Sequence, residues 1–153
     1  MNFILLDRFL HRRHLIPTYI KNLCLSGYRG YKFISPPVCN QQRLYSKTTG
    51  KYINYRVSSL VHLKTAIQIF ADEEYGDISS RINKFYSYLL GQGKTPLIFD
   101  IGANIGLAAL YFNDLYPHSF IYCVEPDQEN FDLLTYNITK HSRVAPIQAG
   151  LSG

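Results

Sequence analysis

Apolar residues in the last third of the chain occur as short runs that alternate with segments of helical spacing. The runs predict strands at 97–99, 120–124 and 144–148, and the segments between them predict helices at 105–113 and 127–140. Strands this apolar are typical of a sheet covered on both faces, and helices between successive strands imply parallel pairing. The pattern therefore predicts an α/β fold with a parallel sheet.

The residues before this α/β segment predict a helical lead-in over 51–95. Apolar residues recur there at helical spacing, and a second helix is expected to begin after Asp77, a good N-cap type, and to end at Gly91. The first helix is expected to present Leu60, Val61, Leu63, Ala66, Ile67 and Phe70. The second is expected to turn inward Ile78, Ile82, Phe85, Leu89 and Leu90.

Charge separates the start of the chain from the rest. Residues 1–50 hold eight Lys/Arg and the single acid Asp7, whereas residues 51–153 hold eight Lys/Arg and ten Asp/Glu. The overall charge of +5 therefore belongs to a basic N-terminal arm, 1–50, and not to the α/β segment, 96–153. No nucleic-acid partner is expected for the chain, because the segment that carries the candidate chemistry is not basic.

The basic arm itself allows several interpretations. Leu5, Phe9, Leu10 and Leu15 could form one short amphipathic helix, which would favour weak contact with a membrane surface or a partner. A solvated arm is the favoured interpretation, and an RNA- or membrane-associated adaptor that uses residues 1–50 is the alternative from another functional class.

The three cysteines, Cys24, Cys39 and Cys123, have no zinc-binding spacing, so no metal is expected. So sparse and odd a set suggests a reducing compartment, and we predict a cytoplasmic protein. Cys123 falls within a predicted strand, where a small buried hydrophobic residue is expected. No apolar run is long enough to predict a membrane-spanning helix.

The candidate chemistry lies in the segment Asp100-Ile-Gly-Ala-Asn-Ile-Gly106, between the first strand and its helix. Gly102 removes a Cβ where a ligand would lie against the backbone, and Gly106 permits a tight turn and close packing. The new helix begins with free N–H groups that suit a polar ligand. Asp100 could also serve only as a cap for that helix, although the acid Glu125 downstream favours a binding role.

Glu125 follows the second strand, where a carboxylate can accept hydrogen bonds from both ribose hydroxyls. The loop and this acid together predict a nucleoside half-site. A dinucleotide fingerprint requires a glycine where this loop has Asn104, because that glycine lets a pyrophosphate approach the backbone. The loop therefore fits a ligand without phosphate, such as S-adenosylmethionine, better than it fits a nicotinamide or flavin dinucleotide.

These segments resemble the FkbM-type family of class I S-adenosylmethionine-dependent methyltransferases. The resemblance covers about half of the chain, from roughly Val61 onward, and residues 1–50 lie outside it. It is carried by Leu97-Ile-Phe-Asp-Ile-Gly-Ala-Asn-Ile-Gly-Leu107, Tyr122-Cys-Val-Glu-Pro-Asp127, Asn130-Phe-Asp-Leu-Leu134, Asn137 and Ala149-Gly-Leu-Ser152, with Phe70-Ala-Asp-Glu-Glu-Tyr75 upstream.

The resemblance implies a Rossmann-like class I methyltransferase fold and roles for eight residues. Asp100 would orient the ammonium group of the methionine portion, and Glu125 would hold the ribose hydroxyls. Pro126 and Asp127 would shape the rim beside the adenine. The backbone cradle would be formed by Gly102, Ala103, Asn104 and Gly106.

The resemblance also implies O-methylation of a sugar or another small metabolite, with a small-molecule or glycan hydroxyl as acceptor. No residue stands out as a catalytic base, because His118 and His141 flank predicted elements and are expected at the surface. Only three strands are predicted before the chain ends, so we expect a truncated form with weak or no activity alone. The alternative is an inactive methyltransferase-like fragment, and neither the acceptor nor the oligomeric state is predicted.

Overall fold

A computed structural model describes residues 30–36, 39–72 and 74–150. The predicted amphipathic helix around Leu5 to Leu15, and Cys24, lie outside the described residues. The chain divides into two compact units, Met1–Asp72 and Glu73–Gly153.

The first unit is an antiparallel sheet followed by a helix. Its strands pair in the order β1-β2-β3, so each strand lies beside its neighbour in sequence. Ser59 caps the helix by accepting a hydrogen bond from the His62 backbone N–H at 3.3 Å, as its position before an apolar-periodic segment favours. The elements are β1 Tyr31–Phe33, β2 Gln41–Ser46, β3 Tyr52–Arg56 and α1 Leu60–Phe70.

Side chains alternate strictly between the two faces of this sheet. The inner face packs against α1, where the Phe70 ring lies 5.0 Å from the ring of Tyr31 and 6.2 Å from that of Tyr55. An antiparallel sheet with one buried face and one exposed face is stable in this two-layer form. The buried apolar side chains of the unit include Tyr31, Phe33, Leu44, Ile53, Tyr55, Val57, Leu63, Ala66, Ile67 and Phe70.

These three strands correct our expectation of a basic arm at 1–50 and a purely helical lead-in at 51–95. The inward positions of β2 include Gln42 and Ser46, so the apolar alternation that marks a strand is interrupted in the sequence. Gln42 is buried because its amide donates to the carbonyl oxygens of Pro36, at 3.0 Å, and of Cys39. The helix at Leu60–Phe70 is confirmed.

The second unit has the predicted α/β alternation. Its three strands are parallel and pair in the order β4-β5-β6, each joined to the next by a helix. The predicted strand at 120–124 is confirmed at both ends, and the other elements shift by a few residues. The elements are α2 Gly76–Gly91, β4 Leu97–Ile101, α3 Leu107–Leu115, β5 Phe120–Val124, α4 Gln128–Ile138 and β6 Val144–Ile147.

One face of this sheet is buried against α3 and α4. Cys123 is fully buried there, which confirms the expectation of a small hydrophobic residue. The opposite face is more open: Leu97, Phe99 and Ile101 on β4 are each more than half exposed. The buried cluster consists of Ala103, Ala109, Ile121, Cys123, Leu134, Ile138 and Val144.

The orientation of α2 differs from our prediction. Ile78 and Phe85 were expected inward, but they are 50% and 62% exposed. The inward face instead carries Ser79, whose hydroxyl lies 3.2 Å from that of Tyr111 and whose carbonyl accepts from Tyr116. Hydroxyl contacts that apolar periodicity does not report therefore set the rotation of this helix. It also begins at Gly76, so Asp77 lies inside it and is not its cap.

No helix in the described ranges 30–36, 39–72 and 74–150 is both long enough and apolar enough to cross a membrane.

Candidate nucleoside site at the carboxyl edge of the parallel sheet

The eight residues predicted to form the site lie at or beside the carboxyl ends of β4 and β5. Because these strands are parallel neighbours, the loops that follow them meet at one edge of the sheet. The backbone N–H groups of Gly102 and Ala103 both donate to the carbonyl of Val124, at 2.9 and 3.0 Å. The residues are Asp100, Gly102, Ala103, Asn104 and Gly106 after or within β4, and Glu125, Pro126 and Asp127 after β5.

The loop 102–106 owes its shape to three residues in the left-handed region. Gly102 has φ 81°, Asn104 has φ 51° and Gly106 has φ 82°. Glycine adopts this conformation freely, and asparagine is among the residues that adopt it most readily. A Cβ on Gly102 would meet no atom of the described residues within 4 Å, so the backbone there borders open space. The loop therefore has the open backbone that the predicted cradle requires, and the binding of a ligand there stays a prediction.

Gly106 serves a different purpose, because it lets α3 approach α4. A Cβ at this position would lie 2.6 Å from Cδ1 of Leu134 and 3.4 Å from Cγ2 of Ile138. Leu134 is fully buried, so its side chain has little room to move away. The sequence-based expectation of a tight turn with close packing is confirmed at Gly106.

Asn137 of α4 fixes the same loop from the other side. Its Nδ2 donates to the carbonyl oxygen of Ile105 at 2.8 Å, and the side chain is buried. Asn137 was predicted only as part of the resemblance, with no structural role. Its position one residue before the buried Ile138, on the inward face of a predicted helix, was the signal that could have indicated a structural hydrogen bond.

Glu125 closes the site at the tip of β5. Its side chain is buried, and its two carboxylate oxygens accept separate backbone hydrogen bonds. Asn104 donates to Oε2 at 2.7 Å and Asp127 donates to Oε1 at 3.0 Å. Hydrogen bonds to an ionised carboxylate are stronger than neutral ones, so Glu125 joins the loops after β4 and β5 firmly.

Asp127 caps α4. Its Oδ1 accepts a hydrogen bond from the Asn130 backbone N–H at 2.9 Å. Both Asp127 and its neighbour Pro126 are exposed, so they form the outer rim of this edge.

Two acceptor atoms in this region have no hydrogen-bond partner in the described part of the chain. They are Oδ2 of Asp100 and Oδ1 of Asn104, and both are buried. A buried polar atom without a partner is costly, and such atoms often mark the place of a ligand. Both atoms are acceptors, so the complementary ligand groups are hydrogen-bond donors.

The surroundings of Asp100 disfavour the ionised form of its carboxyl group. Burial raises the pKa of its carboxyl group, the backbone hydrogen bond from Ala109 partly offsets this, and the nearby charge of Glu125 raises it further. A cationic group beside Asp100 would offset the unfavourable effects of burial and of the Glu125 charge on the ionised carboxylate.

The first prediction concerns stability and pH. Because the folded-state pKa of Asp100 lies above its ordinary value of 3.8, the folded protein binds this proton more tightly than the unfolded chain does. The stabilisation is present below 3.8 and is lost as the pH rises through the raised pKa. Asp100→Asn should therefore raise the free energy of unfolding at neutral pH, and this gain should shrink on acidification. Urea titrations of the wild-type chain and of Asp100→Asn at several pH values measure this gain and its dependence on pH. A lower free energy of unfolding for Asp100→Asn than for the wild-type chain at neutral pH would contradict the prediction.

The two histidines considered as catalysts lie away from this edge, and Cys123 is unsuited to chemistry. His118 and His141 precede β5 and β6, at the amino ends of the strands. His141 is half-buried, its pKa is lowered by burial, and its Nδ1 lies 2.9 Å from Nδ2 of Asn113. Burial, and secondarily the charge of Asp100, raises the pKa of Cys123 to about 12, so its thiol remains neutral. No cluster of metal-ligating side chains occurs among the residues that the structure describes.

Comparison with known proteins identifies a methyltransferase as a relative. The chain is 42% identical over 60 residues to methyltransferase sdnD of Sordaria araneosa. The match covers 37% of this chain and 23% of that protein, so the chain spans about a quarter of the relative's length. No family model matches the chain.

Two solved structures share part of the fold. One is assigned as a caffeoyl-CoA O-methyltransferase of Staphylococcus aureus, with 12% sequence identity and a TM-score of 0.35. The matched region covers 61% of this chain and 45% of the other protein's chain. The other is plantazolicin methyltransferase BpumL, solved with a monoazolic desmethylPZN analogue and S-adenosylhomocysteine, with 22% sequence identity and a TM-score of 0.32. The matched region covers 58% of this chain and 40% of that protein's chain. Scores this low carry no weight alone, and the α/β fold with a parallel sheet is assigned from β4 to β6 themselves.

Proposed function

We propose that this chain binds S-adenosylmethionine at the carboxyl edge of its parallel sheet and belongs to a methyltransferase. The observation that carries the proposal is the open space over Gly102, beside acceptor atoms of Asp100 in β4 and Asn104 in the loop that have no partner among the described residues. A ligand that lies there must supply hydrogen-bond donors and tolerate two carboxylates, which favours a cationic nucleoside derivative over a pyrophosphate. The methyltransferase relative supports the same interpretation.

Each site residue has a role in this proposal. Glu125 accepts hydrogen bonds from the two ribose hydroxyls through lone pairs that its contacts with Asn104 and Asp127 leave free. Asp100 accepts from the ammonium group of the methionine portion. Pro126 and Asp127 border the adenine. The backbone of Gly102, Ala103, Asn104 and Gly106 forms the cradle on which the ligand rests.

The bound cofactor would supply a methyl group on a positively charged sulfur. The residues of this chain would hold that group in place, since methyl transfer depends largely on the alignment of nucleophile, methyl carbon and leaving sulfur. The acceptor in this proposal is a hydroxyl group of a sugar or small metabolite, and the FkbM-type family is the particular family proposed. A cytoplasmic location belongs to the same proposal.

The matched pair Gly102→Ala and Gly93→Ala tests the proposal. Both glycines have a positive φ, 81° and 67°, and a Cβ on either meets no protein atom within 4 Å, so the backbone strain is similar. Only the Cβ at position 102 would occupy the cradle. We expect the full chain to bind S-adenosylhomocysteine saturably in a calorimetric titration, Gly93→Ala to bind equally well, and Gly102→Ala to bind at least about tenfold more weakly.

Two results would count against this proposal. The first is that the chain is folded, as judged by circular dichroism, but shows no saturable heat with S-adenosylhomocysteine. The second is that Gly102→Ala and Gly93→Ala bind equally well, because the ligand would then not lie on Gly102.

The second candidate function is that of an inactive methyltransferase-like protein whose loop only shapes the fold. One observation favours it: both oxygens of Glu125 already accept hydrogen bonds from the backbone. In that case Glu125→Ala lowers the free energy of unfolding although the wild-type chain binds no S-adenosylhomocysteine. The two measurements together separate the candidates.

A further inference from the structure

The outer face of the antiparallel sheet β1-β2-β3 carries a cluster of cations and aromatic rings. Because α1 packs on the inner face, the alternate side chains of these strands point to the other side of the sheet. We use the name outer face for the side chains of Lys32, Arg43, Tyr45, Tyr52, Asn54 and Arg56.

The strand register brings the rings and cations of this face together. Lys32 pairs with Tyr45, and Tyr45 pairs with Tyr52, so the three form one row across the sheet. The two tyrosine ring centroids lie 5.2 Å apart. The guanidinium carbon of Arg43 lies 3.9 Å from the centroid of the Tyr52 ring. Tyr52 nevertheless remains 53% exposed, so part of its ring is available to a ligand.

The surrounding charge has one sign. Residues 30–72 hold six Lys/Arg, and their single acid is Asp72, which follows the helix on the inner face. Lys47 and Lys51 are exposed in the turn between β2 and β3, close in sequence to Tyr45 and Tyr52. Within residues 30–36 and 39–56, the fold thus places several cations on and beside the outer face and no acidic residue.

We propose that the outer face binds single-stranded nucleic acid. Lysine and arginine side chains would contact the phosphates, and unpaired bases would stack on the rings of Tyr45 and Tyr52 and on the guanidinium plane of Arg43. Bases can stack on the aromatic rings of this face only when they are not already stacked in a helix, so single strands can bind in this way and duplexes cannot. Ile34 is the one large aliphatic side chain exposed beside this face within 30–36 and 39–56, which is too little apolar surface for insertion into a bilayer.

This proposal goes beyond methyl transfer and rests on other residues. It also revises the expectation of no nucleic-acid partner, which came from the α/β segment and treated the basic residues before it as a solvated arm. The sequence separates Lys32, Arg43 and Lys51 by several residues, and only the strand pairing places them near one another.

Fluorescence anisotropy of the full chain with a fluorescein-labelled oligouridylate of about 12 nucleotides tests the proposal. We expect saturable binding whose affinity falls with salt. Three or four phosphate contacts on a single strand predict a slope of log K against log salt of about −2 to −3. Phosphatidylserine vesicles serve as the second probe.

Matched variants locate the binding surface. Tyr52→Ala should weaken binding about tenfold or more because a stacking surface is lost, whereas Tyr52→Phe should keep most of the affinity because it keeps the ring. Lys32→Gln should weaken binding and reduce the salt slope by about 0.7, since Lys32 is exposed in the same row as Tyr45 and Tyr52 and the substitution removes one phosphate contact. Lys64→Gln is the control: it removes the same charge from an exposed position on α1, which packs on the inner face.

Three outcomes would overturn the proposal. Saturable binding to vesicles without binding to the oligonucleotide would identify a membrane surface. Equal losses for Lys32→Gln and Lys64→Gln, with none for Tyr52→Ala, would indicate diffuse charge attraction and no defined face. Absence of oligonucleotide binding by the folded chain at low salt would exclude the function directly.

Discussion

Glu125→Ala is expected to abolish measurable binding of S-adenosylhomocysteine and to destabilise the second unit as well. The two proposed ribose hydrogen bonds to a charged acceptor contribute about 1.5–3 kcal/mol each, so their loss should weaken binding by about a hundredfold to ten thousandfold. The backbone N–H groups of Asn104 and Asp127 lose their acceptors at the same time. Each N–H group left without a partner costs about 1–3 kcal/mol where water does not replace the carboxylate.

Calorimetry with S-adenosylhomocysteine and urea unfolding measure the two effects separately. Glu129→Ala is the matched control, because Glu129 is exposed in the first turn of α4 and the substitution removes the same charge. We expect Glu129→Ala to bind normally and to lose only about 0.3–1 kcal/mol of stability, the usual contribution of an acid near a helix N-terminus. Unchanged affinity in a folded Glu125→Ala chain would disprove the ribose role, whatever happens to stability.

Gly106→Ala is expected to give the largest loss of stability among single-methyl changes in this chain. The new Cβ would lie 2.6 Å from Cδ1 of the fully buried Leu134, and overpacking of this kind costs about 1–3 kcal/mol. The left-handed backbone at φ 82° adds about 1–2 kcal/mol for a residue with a Cβ. The free energy of unfolding should therefore fall by about 2–5 kcal/mol.

Gly93→Ala separates the two contributions to this loss. Gly93 has φ 67° and open space around its Cβ position, so alanine there adds backbone strain without a steric clash. Urea unfolding monitored by circular dichroism should show a fall of only about 1–2 kcal/mol for Gly93→Ala. If the two variants lose the same free energy, then α3 and α4 have room to separate and the close contact at Gly106 is not essential to the fold.

The two glycines of the candidate site illustrate why the sequence predicted this region well. Gly102 and Gly106 follow a short apolar strand and precede a helix, and local backbone geometry alone requires residues without a Cβ in such a turn. Strand β5 was predicted at both ends because its five residues are apolar and turn residues flank them. Local chemistry determines these features, so the sequence alone is sufficient for them.

The first sheet could not be predicted in this way. Gln42 occupies an inward position of β2, which the apolar pattern assigns to the surface. Its burial depends on the carbonyl groups of Pro36 and Cys39, whose positions are known only once the chain has folded. The rotation of α2 is a similar case, since the hydroxyl of Tyr111, on another helix, fixes Ser79 inward.

The sequence by itself determined the alternation of strands and helices after residue 96, the glycine loop, and the acid at the end of the next strand. Those features depend on residues that are close together in the chain. Only the tertiary structure decided that Glu125 accepts hydrogen bonds from Asn104 and Asp127, and which cations share a face with Tyr52. It also decided that Asp100 and Asn104 keep buried acceptor atoms without a partner among the residues that the structure describes. Hydrogen bonding and desolvation act between atoms that folding brings together, and sequence spacing alone does not specify those distances.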